Sequence, residues 1–197
     1  VISRPEDRYE MRDIYQLYAK HHPTFTADDI YNLSKELDTV IYFEALSEVS
    51  VRVSHDLFIS KEMISFDTDA ADRAINSFLS KDYIRIREID SFLIFPNVGY
   101  EWNEYLLESF LLSYSKKFAL VNNGLSLNNV AGFVVKKSGQ INDFIDACAA
   151  FLADGRIELK KVDALNYLAD MNVISRRSYK DIDLALRRAA LIRRRKE

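Results

Sequence analysis

EWNEYLLESFLLSYS, residues 101–115, is the stretch whose reading decides the fold. At 3.6 residues per turn, Trp102, Tyr105, Leu106, Leu107, Phe110, Leu111, Leu112 and Tyr114 fall on nearly every side of a helix. A helix that is apolar all round is buried all round. This helix therefore belongs at the centre of the molecule, joining two halves. Its heart, Tyr105 to Tyr114, carries 7 apolar positions in 10 and is interrupted by Glu108, Ser109 and Ser113, too short and too polar to span a bilayer. Glu101 and Glu104 share a face at i, i+3, as paired acid–base groups do. They also stand at a helix start, where the dipole favours acids, and that position accounts for them structurally.

Upstream, Met11, Ile14, Tyr15 and Tyr18 recur at i, i+3, i+4 and i+7 and predict a helix over about 6–20. It is stopped by His21-His22-Pro23, because the residue before a proline avoids helical geometry. Thr26 then reads as an N-cap ahead of Asp28, Asp29 and the series Ile30, Leu33, Leu37. A third helical stretch, about 39–48, follows. The period next changes to two. Val51, Val53, Leu57 and Ile59 flank Ser54-His55-Asp56 as a hairpin, with Arg52 on the opposite face. Asp67 caps an amphipathic helix carrying Ala71, Ala74, Ile75, Phe78 and Leu79. Ile84 and Ile86 alternate with Arg85 and Arg87, and Phe92 to Phe95 reads as a returning strand.

Three short helices, a further helix and a two-stranded wing resemble the winged-helix or helix-turn-helix superfamily over residues 9–96, by element order alone. The resemblance implies a fold and does not by itself bring DNA binding with it. The face expected to be exposed on the helix over 68–80 offers Asp69 and Asp72, which repel phosphates.

Downstream, Asn122-Asn123-Gly124 and Asn128-Asn129 mark a loop, and the expected division is a winged-helix-like domain over 1–121 and a helical domain over 122–197. Val130 to Lys136 suits a short strand. Ile141, Phe144, Ile145, Cys148 and Leu152 form one helix face, ended by Gly155. Another helix is expected over 159–170. A last one starts at Ser178, with the stripe Ile182, Ala185, Leu186, Ala189 and Ala190. The expected class is α+β, predominantly helical.

Charge divides the chain more sharply than structure does. Residues 156–197 hold 12 Lys/Arg against 6 Asp/Glu, and the rest holds 15 against 24, so a basic end follows an acidic body. Arg176, Arg177, Lys180, Arg187, Arg188, Arg193, Arg194, Arg195 and Lys196 form the candidate nucleic-acid-binding set. Seven of these nine are arginine, whose planar fork matches phosphate. The alternative for this cluster is a solvated or intramolecular role, with cations complementing the dipole at a helix C-terminus, although the dipole alone explains only part of so dense a cluster.

Other chemistry is sparse. Only 5 Gly and 3 Pro occur, so long helices are expected and no phosphate-cradling glycine loop is present. The single cysteine, Cys148, excludes an internal disulfide, suits a reducing compartment and lies on an apolar stripe as a core residue. Adjacent His21 and His22 point about 100° apart on a helix and do not chelate as an i, i+4 pair does. Asp67, Asp69 and Asp72 lack the alternating ligands and central Gly of a calcium loop and read as first-turn acids. No cofactor, metal site or catalytic residue is expected. Val1 to Asp7 shows no signal-peptide pattern and no Met, which points to a cytoplasmic protein or a fragment of a larger one.

These features predict a non-catalytic, nucleic-acid-associated binding module that meets DNA or RNA through its basic C-terminus, with no membrane partner. The alternative is a protein-interaction or oligomerisation module using the acidic winged-helix-like half.

Overall fold

The computed structural model describes residues 9–196. The chain is α+β and predominantly helical, as expected, with two small antiparallel sheets among eight helices in the described residues. Helices α1 (Met11–His21), α2 (Ala27–Glu36) and α3 (Phe43–Val49) lead. Strands β1 (Thr24–Thr26), β2 (Ser50–Arg52) and β3 (Leu57–Ser60) form a sheet in the order β1-β3-β2. Then come α4 (Thr68–Phe78), β4 (Tyr83–Arg85), α5 (Glu104–Ser113), β5 (Phe118–Val121) and β6 (Phe133–Lys136). The second sheet runs β4-β6-β5. Helices α6 (Phe144–Asp154), α7 (Lys161–Asp170) and α8 (Ile182–Arg194) close the chain. No helix among the described residues is long and apolar enough to cross a membrane. The expected start of α1 near residue 6 lies outside the described residues.

Three apolar clusters hold these elements. Tyr15, Ile30, Leu46, Phe25 and Phe58 join α1, α2, α3 and the first sheet. Helix α5 fills the central cluster with Leu106, Leu107, Phe110 and Leu111, packed against Ile59, Ile75, Ile86 and Phe118. That is the place its all-round apolar sequence predicts; Asn103 caps it, its Oδ1 accepting from Tyr105 N and Leu106 N at 2.9 and 3.1 Å. The third cluster packs Phe133 and Val135 with Cys148, Leu152, Leu168, Ile182 and Ala189.

Local signals account for most boundaries. Thr26 Oγ1 accepts from Asp29 N, and Asp29 answers Thr26 N at 2.7 Å, a reciprocal cap. Asp67 Oδ1 accepts from Ala70 N at 2.9 Å. The expected hairpin is β2–β3, with Val51 opposite Ile59. Gly132, at φ +118°, is required where β6 starts, since a Cβ there would meet Val121 O at 2.5 Å.

Several expectations are corrected. Phe92 to Phe95 is a turn and not a returning strand, because Phe95 is drawn into the central cluster beside Trp102 and the edge of β4 is taken by β6. Helix α8 begins at Ile182 rather than Ser178, since Tyr179 is buried as an anchor ahead of it. Phe78 is only partly buried at the end of α4. Asp72, expected on an exposed face, is fully buried and accepts from Ser115 Oγ, Lys116 N and Lys117 N at 2.6, 3.1 and 3.1 Å. The hydrogen bonds between β4 and β6 and between β5 and β6 cross the sequence position 121/122.

Candidate functional site

The basic C-terminal set separates into two groups. Arg188 Nη1 pairs with Asp146 and lies 3.8 Å from Asp143, the two acids at the start of α6. Arg193 reaches the other end of α6 and donates to the carbonyls of Leu152, Ala153, Gly155 and Ile157 at 2.8, 3.2, 2.6 and 3.0 Å. Those acceptors include the last carbonyls of a helix, which have no partner within it, so Arg193 is a side-chain cap. Lys196 Nζ binds Asp154 Oδ1 at 2.6 Å, and Arg177 Nη2 meets Asp170 at 3.2 Å. Helix α8 is thus strapped along α6 by its own cations.

The remaining five, Arg176, Lys180, Arg187, Arg194 and Arg195, are exposed. None makes a side-chain hydrogen bond or ion pair with the described residues. On α8, Arg187 and Arg194 are seven residues apart with exposed Leu191 between them, so they share one face, away from the buried stripe Ile182, Ala185 and Ala189.

The arginines of the predicted hairpins are occupied. Arg85 pairs with Glu88 and donates to Met171 O at 3.0 Å. Arg87 donates to Val130 O and Asn129 Oδ1 and lies 3.6 Å from Glu104. Arg52, expected on the open face of its hairpin, is only 5% exposed. It stands opposite Phe58, its guanidinium lies 4.1 Å from the centre of the Tyr105 ring, and it donates to His55, Ser126 and Leu127 carbonyls. The loop over 125–127 closes over this face, which no periodicity in β2 could reveal.

Beside Arg52 lies Glu108, which in the sequence is only a polar interruption of α5. The residue is 6% exposed, its carboxyl has no hydrogen-bond partner among the described residues, and it borders a cavity of about 30 Å³ with Arg52, Ser50 and Ser109. That volume is enough for about one water. Burial pushes Glu108 up to about 7, against the opposing pull of the Arg52 guanidinium. The only signal in the sequence was a glutamate inside an otherwise apolar helix.

The other candidates fall where structure uses them. Cys148 is fully buried and burial raises its thiol far above the usual range. His22 stacks on Tyr18 at 4.6 Å, and no group of three or more His, Cys, Asp or Glu among the described residues is arranged to hold a metal ion. Trp102 is buried and its Nε1 donates to Pro96 O at 2.7 Å. Glu104 opens α5. No protein-family model, curated protein or solved structure matches this chain.

Proposed function

We propose that this chain is a non-catalytic, nucleic-acid-associated binding module of a larger cytoplasmic protein, contacting phosphates through Arg176, Lys180, Arg187, Arg194 and Arg195. The observation that carries the reading is the division of the basic set: Arg188, Arg193 and Lys196 strap α8 to α6, Arg177 meets Asp170 at the end of α7, and five cations stay exposed without an acidic partner among the described residues. A purely structural role needs only the first group. Contacts of this kind position a nucleic acid without reading its sequence. The test is binding of the full chain to single-stranded RNA, single-stranded DNA and duplex DNA at 50 and 200 mM salt. Five contacts predict an affinity loss of about 100-fold on single strands and about 500-fold on duplex, at ~0.7 and ~0.9 counterions per phosphate. Binding that is absent, or indifferent to salt, overturns the reading.

A second reading, protein interaction through the acidic half, is favoured by one feature. Tyr31 and Val40, 61% and 67% exposed, line a groove of about 790 Å³ with Tyr42, and the buried Ser34 hydroxyl there has no hydrogen-bond partner among the described residues. Exposed aromatic and aliphatic side chains, with Lys35 and Asp38 the charged groups among them, suit a protein surface better than a phosphate backbone.

A further inference from the structure

Four lysines from two distant stretches meet at one end of the second sheet. Lys116 and Lys117 precede β5, Lys136 ends β6 and Lys137 follows it. The pairing of Phe118 with Lys136, and the bond from Lys137 N to Lys117 O at 2.8 Å, bring the two dipeptides side by side. Together with Asn76, Phe118 and Ser138 they line a concavity of about 370 Å³ that contains no carboxylate. Nineteen residues separate Lys117 from Lys137 in the sequence, so neither pair alone reads as a basic cluster.

The concavity is firmly built. Buried Asp72 accepts from the backbone N–H groups of Lys116 and Lys117 and from Ser115 Oγ, while Ser115 Oγ accepts from Phe118 N at 2.9 Å. Lys137 Nζ donates to Ser115 O at 2.8 Å. The loop is therefore fixed before any ligand arrives, which lowers the cost of ordering on binding. Its remaining ammonium groups are loosely held. Lys117 has no side-chain partner among the described residues. Lys116 meets Asp69 at 3.3 Å with both side chains about two-thirds exposed, and Lys136 lies 3.6 Å from Asp82. An exposed pair such as Lys116 with Asp69 contributes about 0–1 kcal/mol, and Lys136, its side chain 30% exposed, meets Asp82 only at 3.6 Å, so a dianion reaching the concavity has weak contacts to displace.

Charged contacts also lead from this concavity to the C-terminus. Lys136 faces Asp82; the adjoining Lys81 binds Asp154 Oδ2 at 2.5 Å; Lys196 binds the other oxygen of Asp154. Arg194 and Arg195 precede Lys196 directly.

We propose that the four-lysine concavity is a phosphate-binding site, and, resting on the nucleic-acid reading above, that it holds a phosphate of the same backbone that the C-terminal arginines contact. Two arms test this separately. In the first, inorganic pyrophosphate is titrated into the ¹⁵N-labelled full chain at constant ionic strength. The amides of Lys117, Phe118, Lys137 and Ser138 should shift saturably, and the double variant Lys117→Gln/Lys136→Gln should weaken the effect by tenfold or more. Lys137 is left intact because its Nζ ties the loop, and unchanged amide positions elsewhere verify that the variant folds. Shifts matched by chloride alone, or unaltered in the variant, overturn the site. In the second arm the same variant is titrated with duplex DNA. Losing two contacts should lower the slope of log affinity against log salt by about 1.8, at ~0.9 per phosphate. A slope unchanged while pyrophosphate binding is lost contradicts the shared backbone and leaves the C-terminal reading standing; a wild type that binds pyrophosphate but no nucleic acid upholds the site and refutes that reading.

Discussion

Glu108 is the side chain through which this molecule should feel pH. A carboxyl held at about 7 in the folded state, against about 4.3 in an unfolded chain, keeps its proton on folding between those values. The folded state then binds more protons, so stability is fully present below about pH 4 and is lost as pH rises through 7. The full loss is on the order of 4 kcal/mol at ~1.4 kcal/mol per unit, reduced by whatever water enters the adjoining cavity. Urea unfolding at pH 5.5 and 8.5 should show about half of that decline in wild type, on the order of 2 kcal/mol, because the unfolded carboxyl is already ionised at pH 5.5. The Glu108→Gln variant should be flatter and the more stable of the two at pH 8.5; an equal decline in both would place the pH dependence elsewhere. Arg193 and Arg194 give a second contrast at this scale. Arg193→Gln removes a guanidinium bonded to four carbonyls and should cost roughly 2–4 kcal/mol, given about 1.5–3 kcal/mol for a charged hydrogen bond. Arg194→Gln should change stability by less than about 0.5 kcal/mol. Equal costs in thermal or urea unfolding would mean that the cap is not made.

At the scale of elements, α5 organises the fold. Phe110 is fully buried and its ring lies 5.2 Å from Phe66 and 5.7 Å from Trp102. Phe110→Ala should cost about 3–5 kcal/mol, while Leu112→Ala, at a 38% exposed position, should cost well under half of that. Similar losses in urea unfolding would show the helix to be rotated. The helix was legible because its apolar residues leave no polar stripe, and the caps at Thr26 and Asp67 were legible because capping is local chemistry. Strands β1, β5 and the pairing of β4 with β6 were not. Three- and four-residue strands carry too few residues to show alternation, and their partners lie up to about fifty residues away, at separations no local pattern encodes. Phe92 to Phe95 reads as a strand for the same reason: four apolar residues in a row suit a strand, and only the packing of Phe95 on Trp102 decides otherwise.

Across the whole molecule, charge was legible as a total and not as a surface. The sequence shows nine cations in 21 residues, from Arg176 to Lys196; the structure commits Arg177, Arg188, Arg193 and Lys196 to acids and carbonyls of the same chain and leaves five exposed without such a partner among the described residues. It also assembles four lysines that the sequence keeps apart. Ion pairing across folded elements depends on tertiary register, so neither outcome can be counted from composition. The central claim is that the five exposed cations meet phosphate. The most direct measurement is the salt slope of nucleic-acid binding for wild type and for a variant with Arg176, Lys180, Arg187, Arg194 and Arg195 all changed to Gln. Gln is nearly as good a helix former as Arg and the buried stripe of α8 is untouched, so helicity should be retained. The slope of log affinity against log salt should fall by about 4.5 on duplex DNA, or about 3.5 on single strands. A slope that matches wild type would contradict the claim.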